Sequence, residues 1–242
     1  MLVESVIMHR ADAVVVPMDS VGRTCFQRAV GWVSDSKVGS GGSAHRGGRR
    51  SAFVDHGHHA LFRMDSFRRA GGYEPSFSHN EDAELDCRQR ALGSRIFLDA
   101  RIRLQYGPRS TAKALGRQYF NYGKGRSRTV RRHPTSIRAR QLAIPAHVVL
   151  MIASLLLAVL DRRFLFWPIL YVTLLASVAI DIAIKKRSLC GVLAAPAAAI
   201  AHFGWGLGFI WGYVSTRERR WDVSAAQAAS SLTRSRSEIP PI

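Results

Sequence analysis

Gly71-Gly72-Tyr73-Glu74-Pro75-Ser76-Phe77-Ser78-His79-Asn80-Glu81-Asp82 is the stretch on which the fold turns. Adjacent glycines supply a tight turn, because glycine alone enters left-handed backbone at no steric cost. Asn80 then reads as an N-cap, with Glu81 and Asp82 in the first turn of a helix that carries Leu85 and Leu92 on one face and stops at Gly93. The pattern sets carboxylates at the mouth of a turn, where a base can stand beside a bound hydroxyl. A purely structural reading competes with it, since the helix dipole favours acidic residues in a first turn by about 0.3–1 kcal/mol each.

Working upstream, residues 60–70 read as a helix stopped by the two glycines, and Phe53-Val54-Asp55 as a strand. Residues 38–50, rich in Gly, Ser and Arg, read as a loop; Gly39-Ser40-Gly41-Gly42 lacks the strand, lysine and helix of a phosphate-cradling loop. Ala13-Val14-Val15-Val16, closed by Pro17, is a buried strand, and residues 3–8 are the tail of a helix. Downstream, Ile96-Phe97-Leu98 and residues 102–106 read as strands. Ser110 is expected to cap a helix with Ala112, Leu115, Tyr119 and Tyr122 in one stripe and Lys113 and Arg117 off it. Helices alternating with short apolar strands indicate an α/β class.

The chain has 242 residues and a formal net charge of +18. Residues 101–140 hold 12 Lys/Arg and no Asp or Glu, directly before the first long apolar run. That placement indicates a basic amphipathic segment at anionic lipid headgroups on a cytosolic face, and with no nucleic-acid-binding fold in the pattern it argues against a nucleic-acid partner. Three apolar runs follow at 142–160, 164–184 and 189–214, each long enough to cross about 30 Å of hydrocarbon. A third crossing would leave Arg217, Arg219 and Arg220 outside, against the positive-inside tendency. Asp181 is read as an interfacial partner of Lys185. After Trp221 a Ser/Ala/Arg-rich tail is expected to be disordered. The expected organisation is a folded polar part at 1–108, an interfacial segment at 109–141, transmembrane helices at 142–214 and a basic tail at 215–242.

Cys25, Cys87 and Cys190 are far apart and unpaired by motif, which fits three thiols in a reducing compartment. His56, His58 and His59 are spaced i, i+2, i+3, a poor match to one metal site, and no carboxylate cluster stands near them in sequence. No metal site is therefore expected on this chain.

The order Phe62-Arg63, Phe67, Gly71-Gly72-Tyr73, Phe77, Asn80-Glu81-Asp82-Ala83-Glu84-Leu85, Arg88, Gly93 resembles the acceptor half of family-2 inverting glycosyltransferases of GT-A fold. Within that family, Val15-Val16-Pro17-Met18, Gly41-Gly42-Ser43-Ala44-His45-Arg46, Val54-Asp55-His56-Gly57-His58-His59-Ala60 and Tyr122-Gly123-Lys124-Gly125-Arg126 are similar to succinoglycan-type exopolysaccharide glucosyltransferases. The likeness covers roughly residues 3–145, and its specificity lies in the combination of pieces.

The resemblance implies the C-terminal part of a GT-A domain followed by about three transmembrane helices in the bacterial inner membrane, with the catalytic part facing the cytosol. Asp82 matches the general base, supported by Glu81. His58, His59, Asn80 and Tyr73 fall at the acceptor side, and Gln118, Arg117 and Arg126 at the diphosphate. The implied reaction moves a hexose, glucose from UDP-glucose, to a sugar on a polyprenyl diphosphate carrier. The family's Mg²⁺ or Mn²⁺ needs an Asp-x-Asp segment and a uracil-binding aspartate that residues 1–19 do not supply, so no transfer by the isolated chain is expected. The alternative is a truncated, non-catalytic membrane protein that keeps the fold as an interaction surface.

Overall fold

The computed structural model describes residues 1–41, 46, 49–58 and 61–226. Helix α1 (Leu2–His9) leads into β1 (Ala13–Val15), β2 (Met18–Ser20), α2 (Cys25–Ser34) and the single turn α3 (Lys37–Ser40). Strands β3 (Ala52–Val54) and β4 (Leu61–Phe62) precede α4 (Met64–Arg69) and α5 (Glu81–Ala91). Then come β5 (Ile96–Leu98), β6 (Leu104–Tyr106), the long α6 (Ala112–Arg132), and three apolar helices, α7 (Ala139–Leu157), α8 (Phe166–Lys186) and α9 (Ala194–Ser215).

The sheet is built around β1, which runs parallel to β5, with Ala13 opposite Ile96 and Val15 opposite Leu98. On its other side β1 pairs antiparallel with β4, and β3 pairs antiparallel with β5, giving the order β3-β5-β1-β4. Side-chain alternation sorts the core. Ala13, Val15, Ile96 and Leu98 pack on one face with Val54 and Phe62, while Ala11, Val14 and Phe97 meet Leu2 and Val6 of α1 on the other. Burial on both faces is why the strand reads as a continuous apolar run. A separate parallel pair, β2 with β6, sits beyond Pro17.

Three local expectations are corrected. The helix expected over 60–70 is split: Leu61–Phe62 pair with β1, and only Met64–Arg69 is helical. An open strand edge outweighs the local helical pattern there, as tertiary context does for such short segments. The helix after residue 110 is capped by Thr111, whose hydroxyl accepts from Ala114 N at 3.2 Å, in place of Ser110. Cys25, at the start of α2, is joined in a disulfide to Cys190, in the turn before α9, across 165 residues of sequence. Cys87 alone is free, so the expectation of three thiols does not hold. The loop expected over 38–50 is described in part, with residues 42–45, 47 and 48 outside the described residues.

Helix α6 is no isolated interfacial segment. Gly204, Gly208 and Gly212, one turn apart on α9, face Gly116, Phe120 and Lys124, one turn apart on α6, so the two helices run parallel in close contact. A Cβ on Gly204 would stand 3.0 Å from Gly116 O, and one on Gly212 would stand 2.9 Å from Lys124 Cα. Small residues at this spacing let helix backbones approach. Leu115, from the expected stripe, packs into a core with Val30 and Ala197.

Among the described residues, two helical segments are long and apolar enough to cross a membrane, Arg162–Lys186 and Leu189–Ser215, while Gln141–Leu157 is shorter. The third expected crossing is therefore not reproduced by length. Helix α9 also shares its length with α6, which carries Lys113, Arg117, Lys124 and Arg126, so a crossing by α9 would take those cations with it. Beyond α9 the chain turns back onto the end of α6: Trp221 N donates to Arg132 O at 3.0 Å, and Glu218 pairs with Arg128. Arg217, Arg219 and Arg220 thus stand beside the C-terminal end of α6, which carries Arg128 and Arg132, and not across from it. Asp181 does pair with Lys185, Nζ to Oδ2 at 2.8 Å. Of the tail expected to be disordered, residues 227–242 lie outside the described residues.

Candidate active site

The glycine turn and the acidic helix form one unit. Gly71 and Gly72 both adopt positive φ, +80° and +67°. Arg88, on α5, ties them to the helix: its guanidinium donates to Ala70 O, to Gly72 O at 2.7 Å, and to the Glu84 carboxylate at 2.6 Å. Glu84 is fully buried and also meets His133 Nε2 at 2.9 Å, which anchors α5 to the end of α6. Such a paired, hydrogen-bonded carboxylate fixes geometry because leaving any member alone is costly.

Asn80 precedes the helix in left-handed backbone, φ +66°, and its side chain makes no cap bond. The expected N-cap is therefore present in position only; the Asn80 amide reaches across to donate to Tyr122 O at 3.3 Å. Gly125 permits this approach. A Cβ on Gly125 would stand 2.5 Å from His79 O and 3.0 Å from Asn80 Cβ.

An open cavity of about 800 Å³ results. One wall carries Asp82, Glu81, Asn80, Tyr73, His56 and His58; the other carries Tyr106, Tyr119, Tyr122, Arg126 and Arg46, whose guanidinium lies over the Tyr106 ring at 4.6 Å. Burial pushes the Tyr122 hydroxyl up to about 12.

Asp82 and Asp86 stand one turn apart on α5 and each takes one histidine. His58 Nδ1 bonds Asp82 Oδ2, and His56 Nδ1 lies 2.7 Å from Asp86 Oδ2, which also accepts from Gly57 N at 3.2 Å. Burial acts to raise the Asp82 carboxyl, but the bond and charge of His58, the charge of His56 and the Ala83 N–H outweigh it and hold Asp82 well below the usual carboxylate range. Burial pushes Asp86 up. His56 loses by burial and gains more from Asp86 and Asp82, so its imidazole is shifted upward.

Asp82, Glu81, His58, Asn80, Tyr73 and Arg126 are thus brought together around one cavity. Arg126 donates to Ser136 O at 2.7 Å and Gln141 Oε1 at 3.1 Å. Gln118 stands behind the wall, donating to Tyr106 Oη at 2.8 Å and Tyr122 Oη at 2.7 Å. Arg117 is exposed and outside the lining, and His59 lies outside the described residues. Asp86, Tyr106 and Arg46 have no role among the sequence expectations, and Tyr119 and Tyr122, expected in an interfacial stripe, line the cavity instead. The i, i+4 relation of Asp82 to Asp86 was the available signal for the first.

His56, His58 and Asp82 each bring a ligand atom within 4.8 Å of the other two, so the carboxylate that their sequence neighbourhood lacked arrives from α5. Elsewhere, Asp12 accepts from Arg95 N at 2.8 Å and Asp19 is forked by Arg103 at 2.6 Å, so neither is disposed to hold a cation on a diphosphate. Two imidazoles in a set of three also suit Mg²⁺ poorly, since it selects oxygen ligands.

No family model matches the chain, and no solved structure matches it. Among curated proteins it is similar to the succinoglycan biosynthesis protein ExoA of Rhizobium meliloti (strain 1021), 38% identical over 208 residues. That alignment takes in 86% of this chain, which spans 63% of the relative's length.

Proposed function

We propose that this chain forms the acceptor side of a membrane-associated, inverting glycosyltransferase of GT-A fold in exopolysaccharide assembly. The reaction passes a hexose, glucose from UDP-glucose, to a sugar on a polyprenyl diphosphate carrier. The observation that carries the reading is Asp82, ionised and oriented by His58, at the mouth of a polar cavity of about 800 Å³. Similarity to a protein named for succinoglycan biosynthesis supports it from outside the site.

In the proposed step the acceptor hydroxyl oxygen attacks the anomeric carbon, its bond to the nucleoside diphosphate breaks, and the proton passes to Asp82. A positioned base of this kind contributes about 10²–10⁴-fold. His58 holds the carboxylate in place, Asn80 and Tyr73 flank the acceptor, and Arg126 faces the diphosphate side, where a guanidinium fork suits phosphate oxygens. Mg²⁺ or Mn²⁺ would offset charge on the leaving diphosphate; the described residues do not fit that ion, and no step here runs through it. The exposed apolar sides of α7 and α8, with the basic block at 101–140, support the part of this reading that puts the cavity at the cytosolic face of the inner membrane.

The test uses membranes carrying the full chain, labelled UDP-glucose and a lipid-linked acceptor. Transfer is measured with the chain alone and with the portion of the Rhizobium meliloti protein that it does not span co-expressed. Asp82→Asn should then lower transfer by about 10²–10⁴-fold. Co-expressed transfer indifferent to Asp82→Asn would refute the assignment, and none under any condition would favour a non-catalytic interaction surface.

A further inference from the structure

We propose that His56, His58 and Asp82 bind a divalent cation of the zinc and cobalt class. The donor set carries the argument. Imidazole nitrogens suit Zn²⁺, Co²⁺ and Ni²⁺, and two of them with one carboxylate make the three-ligand arrangement that leaves a further position open to water.

Two rigid elements present the ligands. His56 and His58 lie two residues apart on the segment that follows β3, and their rings meet edge to face with centroids 4.9 Å apart. Gly57 between them lies so close to β1 that a Cβ would stand 2.9 Å from Val15 Cγ1. Asp82 arrives from the first turn of α5, itself fixed through Glu84 and Arg88. The ligand atoms lie within 4.8 Å of one another. Ligands of a tetrahedral zinc stand about 3.3 Å apart, so a cation entering here replaces the direct His58–Asp82 bond, parting that pair by about 1 Å while the wider contacts of the set close by up to about 1.5 Å.

A second, independent observation is the outer partner. Asp86 Oδ2 stands 2.7 Å from His56 Nδ1, with Gly57 N on the same oxygen at 3.2 Å. A carboxylate on the ring nitrogen of a ligating histidine orients the ring and raises its basicity, and a metal-bound histidine almost always has such an outer partner. The open cavity supplies access. On the glycosyltransfer reading, cation and acceptor hydroxyl would compete for Asp82, but cation binding itself does not rest on that reading and is measured without turnover.

The experiment titrates Co²⁺ into the purified full chain in detergent and follows the visible d–d bands, with Zn²⁺ as displacing ion. One cation per chain is expected, displaced by Zn²⁺. The bands should be lost in His56→Ala and His58→Ala, with His58→Gln as a variant that keeps an amide in the same space. Asp86→Asn should weaken binding by about 10–100-fold. His9→Ala, on a ring stacked against Phe97 at 3.8 Å, should leave binding unchanged. No d–d bands below millimolar Co²⁺, or binding that follows His45 or His59 instead, overturns the site; lost transfer with intact Co²⁺ binding would fall on the glycosyltransfer reading alone.

Discussion

Gly123 of α6 lies directly beneath the backbone of Trp205 on α9, where a Cβ would overlap the Trp205 carbonyl oxygen and stand 2.7 Å from Phe209 N. Two residues on, Gly125 faces the other way and admits His79 and Asn80. A single helix thus has an apolar helix seated on one side and the Asp82 loop on the other, which couples the apolar layer to the cavity wall.

Gly123→Ala should force α6 and α9 apart at a cost of about 1–3 kcal/mol, the usual range for overpacking. The measurement is the melting temperature in detergent. Gly107→Ala is the comparison, since a Cβ there meets nothing within 4 Å and the change should stay within about 0.5 kcal/mol. Equal stability of the two variants would mean that the glycine contact is absent.

Arg88 is the second joint. Its guanidinium holds both the Gly72 carbonyl and the fully buried Glu84, so Arg88→Met leaves a buried carboxylate with His133 and Arg132 as its remaining partners. A loss of about 3–5 kcal/mol in urea unfolding is expected. Pairing it with Glu84→Leu should recover part of that loss, because an apolar pair of similar volume no longer buries a charge. A double variant no better than the single would assign the effect to the glycine turn.

The local grammar of this site was legible in sequence. Gly71-Gly72, the acidic first turn and the stop at Gly93 are all short-range signals, and the structure has them at φ +80°, +67° and +84° with α5 between. What sequence could not supply is the meeting of distant segments. Asp82 and Asp86 reach His58 and His56 across 24 and 30 residues, and the glycines of α9 meet the backbone of α6 across more than eighty, with no local pattern to announce either. β4 escaped because two residues carry no period; only its pairing with β1 makes it a strand.

The cysteines offer a direct count. With Cys25 and Cys190 joined and Cys87 free, a thiol-reactive polymer added to the denatured, unreduced chain should mark one site, and three after reduction. Three sites without reductant would return the chain to the expectation drawn from its motif spacing. Closing so long a loop is worth several kcal/mol in the chain-entropy view, about 2–5 in practice, so Cys25→Ser should lower the urea midpoint.

Asp99 sets the acid limit of the sheet. It follows β5, is fully buried, accepts from Ser5 Oγ of α1 at 2.5 Å, and is forked by Arg101 at 2.8 and 3.0 Å. The Arg101 hydrogen bonds outweigh burial and hold the carboxyl well below its ordinary value of 3.8. A depressed folded-state value means the stabilisation is complete above the unfolded value and is lost as pH falls through the folded one. Stability from this group should therefore be flat from pH 7 to about pH 5 and decline only in stronger acid. Asp99→Asn removes the charge, weakens the bonds from Ser5 and Arg101 and should cost about 1–3 kcal/mol at pH 7. Urea midpoints for both proteins across pH 2–7 would show the two curves converging in acid, where the native carboxylate is itself protonated. A gap that stays constant down to pH 2 would mean that packing by Ser5 and α1, and not the ionised carboxylate, carries the contribution.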